Sequence, residues 1–121
     1  MLYEMKLLEN EFDNIMYKNK VIEVRINDAK RKHIQKGDKI VFYKLPDMRQ
    51  SIIVNVEQVI KFNSFQEVYR SFPVSYFGYN NSSINNLVEN IYKIYTKEEE
   101  KNNGVIAIKF NVERILLNTK G

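Results

Sequence analysis

The chain has 121 residues, a length that suits one domain built around one hydrophobic core. It holds 44% hydrophobic and 28% charged residues and no cysteine, which argues against intrinsic disorder and excludes disulfides, thiol chemistry and thiolate zinc sites. The chain has a single histidine, His33, which excludes histidine-rich metal sites. Any Ser-His-Asp arrangement would have to use that one imidazole. No apolar run approaches the ~20 residues of a membrane helix, and no signal-peptide pattern is present. We therefore predict a single cytoplasmic domain over residues 1–121, without membrane contact, metal or cofactor.

Positive charge is concentrated in one stretch, the basic segment from Lys18 to Lys39. The formal net charge of the chain is +4, whereas this segment alone contains eight basic and three acidic residues. A local basic surface attracts polyanions, and nucleic acid is the commonest polyanion in the cytoplasm. A solvated helix face is the alternative interpretation, and the charge pattern by itself leaves both open.

Apolar periodicity predicts a helix followed by a strand near the amino end. Apolar residues at helical spacing indicate a helix over residues 8–17, and Asn19 can end it in the left-handed conformation. The alternating run Lys20–Ile26 predicts a strand with its aliphatic side chains toward the core. Glu23 and Arg25 then share the opposite face of that strand.

The rest of the pattern predicts an α+β fold around a small β-barrel. The next predicted elements are a short helix from Asn27 or Asp28 to Gly37, a strand over Lys39–Lys44, a turn over 45–47 and a strand over about 51–60. They are followed by a helix from the capping box Ser64/Glu67 to Pro73, a loop over 73–82, a helix over about 83–95, and one strand or a bent pair over 104–117. Because the predicted strands are close in sequence, we expect a mixed or antiparallel sheet whose barrel is plugged by short helices.

The basic segment supplies the residues best suited to contact a polar ligand. Arginine offers a planar fork, and lysine a point charge, for a phosphate group or the edge of a base. The candidate ligand-binding residues in this segment are Lys20, Glu23, Arg25, Asn27, Lys30 and Arg31. Glu23 and Arg25 can bracket a ligand, or they can form a surface ion pair of little energetic weight.

Two further groups allow more than one interpretation. The aromatic residues Tyr76, Phe77 and Tyr79 can stack on bases, or they can anchor a loop in the core. The run Glu98–Glu100 lies in a block of charges that we expect to be a solvated helical turn.

Two strings of the sequence resemble the ASCH (activating signal cointegrator homology) family. The first contains Lys20-x-x-Glu23-x-Arg25 and is followed by Gly37-Asp38, as that family typically shows near its start and before its next strand. The second runs from Tyr95 through Glu100 into Gly104–Ile108 and is similar to the C-terminal part of bacterial single-domain members. The resemblance spans most of the chain, although Asn19 stands where the family usually has glycine.

The resemblance implies a PUA-like β-barrel that binds RNA or modified nucleosides. It also implies a cleft beside the Lys-x-x-Glu-x-Arg strand, lined by Lys20, Glu23 and Arg25. Tyr95 and Lys97 would lie on the far wall of that cleft. The expected partner is therefore RNA or a nucleotide.

Two other functions are kept as alternatives. Some small ASCH proteins are amidohydrolases that deacetylate acetylcytidine, using a lysine and a threonine three residues later. Here that position is Glu23, so a hydrolase or weak ribonuclease would need Glu23 as a general base with a pKa raised by burial, and Lys20 to stabilise the anionic transition state. The third hypothesis is a protein-interaction module whose basic segment meets an acidic partner.

Overall fold

The computed structural model describes residues 1–117 and has helices and strands alternating irregularly along the chain. In chain order the elements are β1 (Leu2–Leu7), α1 (Glu9–Tyr17), β2 (Ile22–Ile26), β3 (Lys39–Lys44), β4 (Gln50–Phe62), α2 (Phe65–Ser71), a 3₁₀ turn (Val74–Phe77), α3 (Ile84–Ile91), α4 (Lys97–Asn103) and β5 (Val105–Leu117). The predicted domain end at residue 121 lies outside the described residues. Within residues 1–117, every helix is too short or too polar to cross a bilayer.

The strands form one five-stranded sheet in the order β1-β3-β4-β5-β2. β1 runs parallel to β3, and the other neighbouring strands are antiparallel, which confirms the expected α+β fold with a mixed sheet. The predicted β-barrel is wrong, because the two outer strands, β1 and β2, do not pair with each other in the described part of the chain. A side chain joins them instead: the Arg25 guanidinium on β2 donates a hydrogen bond to the Lys6 carbonyl oxygen on β1. An arginine side chain thus spans the gap between the two strands, where a paired edge would leave only ~4.8 Å, and the sheet stays open there.

Two apolar clusters hold the helices on the sheet. The first joins α1 to strands β1, β3, β4 and β5 around Phe12, Phe42 and Phe110. The second joins β2 to α2 and α3 around Phe65 and Leu87. The side chains predicted to face the core from β2, namely Ile22, Val24 and Ile26, are all buried as expected.

The segment between β2 and β3 is a series of turns and not the predicted short helix. The amide groups of Arg31 and Lys32 both donate to the Asp28 carbonyl oxygen, which makes a single helical turn. The Asp28 carboxylate binds the Arg31 guanidinium at 2.6 Å and does not cap the backbone. A single turn without a cap does not extend into a helix, because the free-energy cost of nucleation exceeds what the hydrogen bonds of one turn contribute.

The third α-helix ends at Ile91, earlier than predicted. Turns follow over residues 92–94. Tyr92 and Tyr95 both pack on the Phe65 ring, each with ring centroids 5.7 Å apart. Both tyrosines therefore pack on the second cluster although they lie beyond the end of the helix.

Gly78 is the point where the 3₁₀ turn meets α1 and the start of β2. Its φ is 89°, in the left-handed region. A Cβ atom at this position would lie 2.7 Å from Asn14 Cβ and 3.1 Å from Lys20 Cβ. Only glycine fits both the backbone conformation and this close approach.

We expect Gly78→Ala to destabilise the protein by about 2–4 kcal/mol, the combined cost of a left-handed alanine and of overpacking. Gly37→Ala is the matched control, because Gly37 has a φ of 94° but nothing within 4 Å of its Cβ position. The control should lose only about 1–2 kcal/mol. Urea unfolding measures both values, and equal losses would show that the contact with Asn14 and Lys20 has no energetic effect.

Candidate binding pocket

A pocket of about 530 Å³ lies where the two outer strands of the sheet fail to meet. One wall comes from the end of β1 and the start of α1, the floor comes from β2, and the opposite wall comes from α3 and the turns after it. Apolar and aromatic side chains make up most of the lining. The pocket is therefore an apolar cleft with a polar floor, the usual form of a small-molecule site.

The floor is a chain of hydrogen-bonded charges centred on Lys20. The Lys20 ammonium, only 4% exposed, lies 2.5 Å from Glu11 Oε1 and 2.7 Å from Glu23 Oε1. The other oxygen of Glu23 accepts a hydrogen bond from Arg25 Nε at 2.6 Å. The Tyr79 hydroxyl donates a hydrogen bond to the second oxygen of Glu11.

This network has no net charge, because two cations face two carboxylates. Burial alone would lower the pKa of Lys20, but Glu23 and Glu11 outweigh it and hold that pKa above its usual value. Burial alone would raise the pKa of Glu23, but Lys20 and Arg25 outweigh it and hold that pKa below its usual value. Burial and the hydrogen bond to Glu11 raise the pKa of Tyr79, so its hydroxyl stays a donor.

A single family model covers the part of the chain that contains the whole pocket. The ASCH domain model matches residues 5–114, nearly the whole chain. The chain belongs to the ASCH domain family. No curated protein matches it at a significant level.

Several solved structures share the fold of this ASCH domain. The hypothetical protein PH0355 is 30% identical, with a TM-score of 0.82 over 93% of this chain and 100% of that chain. Protein PF0455 from Pyrococcus furiosus is 29% identical, with a TM-score of 0.67 over 93% of this chain and 97% of that chain. An ASCH protein from Zymomonas mobilis is 13% identical, with a TM-score of 0.56 over 94% of this chain and 71% of that chain, and at that identity the likeness concerns the fold alone.

The eight candidate residues of this ASCH domain fall into two groups. Lys20, Glu23, Arg25 and Tyr95 all line the pocket, and Tyr95 stacks on Phe65 with an interplanar angle of 19°. The other four residues lie outside the lining: Asn27, Lys30, Arg31 and Lys97.

Each residue of the second group has a different setting. The backbone amide of Asn27 donates a hydrogen bond to the Gly104 carbonyl oxygen, and the Arg31 guanidinium forms an ion pair with Asp28. Lys97 lies over the Tyr92 ring, 5.6 Å from its centroid. Lys30 is exposed on the turn after β2.

Apart from the aromatic loop residues Phe77 and Tyr79, the other pocket residues were not predicted from the sequence. Glu11 and Tyr79 are bound to each other across 68 positions of the chain, and Leu8 and Ile94 line the pocket while staying 52% and 58% exposed. Of the aromatic loop residues, Phe77 is buried against Tyr69 and also lines the pocket. Contacts of this kind depend on tertiary structure, which residue spacing does not report.

Glu100 does not lie in a solvated block as predicted. It is 9% exposed, and its carboxylate accepts hydrogen bonds from the Phe65 amide at 2.7 Å and from the Tyr92 hydroxyl at 2.6 Å. Burial and the bond to Glu100 raise the pKa of Tyr92 to about 12. Glu100 thereby fixes α4 and the start of α2 around the turn that carries Tyr95.

The geometry does not provide the general base that the hydrolase alternative requires. Both oxygens of Glu23 are occupied by cations, and its pKa is lowered where the mechanism needs it raised. Lys20 is held protonated, so it is a donor and not a nucleophile. Within residues 1–117, no group of three histidine or carboxylate side chains is placed to hold a metal ion.

We expect Glu23→Gln to lower the free energy of unfolding by about 3–5 kcal/mol, because it leaves Lys20 and Arg25 buried without their shared counter-ion. Glu98→Gln is the control, since Glu98 is exposed on α4, and it should change stability by less than about 1 kcal/mol. Urea unfolding at neutral pH gives both values. A loss for Glu23→Gln no larger than that of the control would contradict a buried ion-pair network.

Stability should also depend on pH through Glu23. Because its pKa is lower in the folded state, its contribution is complete above the ordinary value of 4.5 and is lost as the pH falls through the folded value. Unfolding measured across the acid range should show wild-type stability falling more steeply below that pH than the stability of Glu23→Gln. Parallel curves would mean that Glu23 is not paired in the folded protein.

Proposed function

We propose that this ASCH domain binds RNA by taking a single base, or a modified base, into the pocket between β1 and β2. The ASCH family is proposed to bind RNA. The observation that carries the proposal is the combination of a pocket of about 530 Å³ with a charge-neutral polar floor. This volume lies within the range of about 300–1,000 Å³ that is usual for small-molecule sites.

The floor suits the edge of a base better than it suits a phosphate group. Arg25 donates from Nε to Glu23 and from Nη2 to the Lys6 carbonyl oxygen, and its guanidinium also contacts the Tyr95 hydroxyl, so arginine N–H groups and a tyrosine hydroxyl lie side by side in the pocket. The Lys20 ammonium has three protons and two carboxylate partners, so one N–H group is left as a donor. A phosphate needs net positive charge, which the network lacks, whereas a base edge needs donors and acceptors side by side.

The walls suit a flat ring. Leu8 and Ile94 keep large exposed apolar surfaces on opposite walls, and Tyr95 is held by its stacking on Phe65. Single-stranded RNA is recognised mainly through unstacked bases that stack on aromatic side chains, the role available to Tyr95, and Leu8 and Ile94 add apolar contact. At the rim, Lys6 and Lys93 are exposed and can reach the phosphates next to the bound base.

A matched pair of variants tests whether RNA enters the pocket. We expect Ile94→Asp to weaken the binding of a short oligouridine at least tenfold, or about 1.4 kcal/mol, because it places a carboxylate on the pocket wall. Ile115→Asp adds the same charge at an isoleucine that is 45% exposed on β5, outside the pocket. Fluorescence anisotropy measures both affinities.

Amide shifts in a titration of labelled protein with the four ribonucleosides locate the site independently. The expected shifts centre on β2 and on the turns after α3. Equal weakening by the two aspartate variants, or shifts that avoid the pocket, would overturn the proposed function.

A further inference from the structure

A second depression of about 440 Å³, here called the basic groove, lies between the turns after β2 and the second half of β4. Its charged lining consists of Lys32, Lys36, Glu57 and Lys61, and His33 lies beside them. It shares no lining residue with the pocket. It is the more open and the more polar of the two.

The cations of the basic groove are not neutralised by protein carboxylates, in contrast to those of the pocket. Lys32, Lys36 and Lys61 are exposed, and none forms an ion pair with a carboxylate of residues 1–117. The one acidic residue of the lining is engaged elsewhere: Glu57 lies 3.8 Å from Lys109 Nζ and accepts a hydrogen bond from Asn111. The groove therefore presents excess positive charge to solvent.

One strand connects the two surfaces. The second β-strand forms the floor of the pocket, and the chain that leaves it at Ile26 enters the turns that carry Lys32 and Lys36. β2 itself spans about 17 Å, so contact with the pocket and the basic groove at once requires a ligand of several linked units.

We infer that the basic groove binds the phosphodiester backbone of the RNA whose base occupies the pocket. This inference rests on the proposed function and assigns the two parts of the ligand to separate surfaces. A polyanion with regularly spaced charges fits exposed lysines that lack carboxylate partners, whereas the neutral floor of the pocket discriminates among bases. The groove thus supplies affinity that depends on ligand length and on salt.

The test compares two double variants that remove the same charge. Lys32→Gln/Lys36→Gln alters the basic groove, and Arg70→Gln/Lys101→Gln alters two exposed basic residues outside both surfaces and outside the basic segment. The probes are an oligouridine of about twelve nucleotides, a length typical of single-strand sites, and uridine 5′-monophosphate. Dissociation constants are measured over a series of salt concentrations.

For the oligouridine, the groove variant should reduce the slope of log affinity against log salt by about 1.4, since each lost phosphate contact accounts for about 0.7. The control variant should leave the slope nearly unchanged. For uridine monophosphate, all three proteins should bind alike, because one nucleotide in the pocket does not reach the groove.

Each other outcome has a distinct meaning. Equal slopes for the two double variants would overturn the groove assignment and leave the pocket proposal standing if Ile94→Asp still weakens binding. A slope change for the groove variant while Ile94→Asp has no effect would overturn the pocket proposal. Tighter binding of polyglutamate than of oligouridine, lost in the groove variant, would identify an acidic protein as the partner and overturn the assignment to RNA.

Discussion

The buried ammonium of Lys20 is the interaction on which the rest of this ASCH domain depends. It lies between Glu11 of α1 and Glu23 of β2, and Glu23 in turn holds Arg25, which reaches the backbone of β1. A charge this deep is tolerated only when it is paired with opposite charge and hydrogen-bonded. The same contacts therefore fix α1 against β2, link the outer strands of the sheet, and form the floor of the pocket.

Charge is divided between two surfaces of the molecule. The basic residues inside the pocket are neutralised by carboxylates, whereas the exposed lysines of the turns after β2 are not. In nucleic-acid recognition, contacts to phosphate position the ligand, and contacts to bases specify it. Under the proposed function, this division would place the two tasks on separate surfaces, and the net charge of +4 for the whole chain does not reveal it.

Local pattern predicted much of this fold because α1, β2, β3, β4, α2 and β5 all have helical spacing, alternation or a capping box in their own sequences. The strand β1 was not predicted, although Tyr3, Met5 and Leu7 alternate with Glu4 and Lys6 in its sequence; its parallel pairing with β3 lies across more than thirty positions of the chain. Alternation on β2 correctly placed Glu23 and Arg25 on one face, but burial of that face comes from α1 and from the loop that carries Tyr79. Sequence could not show closure of the sheet either, because closure depends on strand length and on side chains between the edges. Glu100 was misjudged for the same reason: its partners, Phe65 and Tyr92, come from other elements.

The joint between β1 and β2 is a single guanidinium group and not a ladder of backbone hydrogen bonds. An arginine side chain has several rotatable bonds, whereas a paired strand edge has a fixed spacing. The aperture between these strands can therefore widen by torsional rotation while every backbone pair of the sheet stays intact. Under the proposed function, this joint is the place where the pocket can adapt to rings with substituents of different bulk.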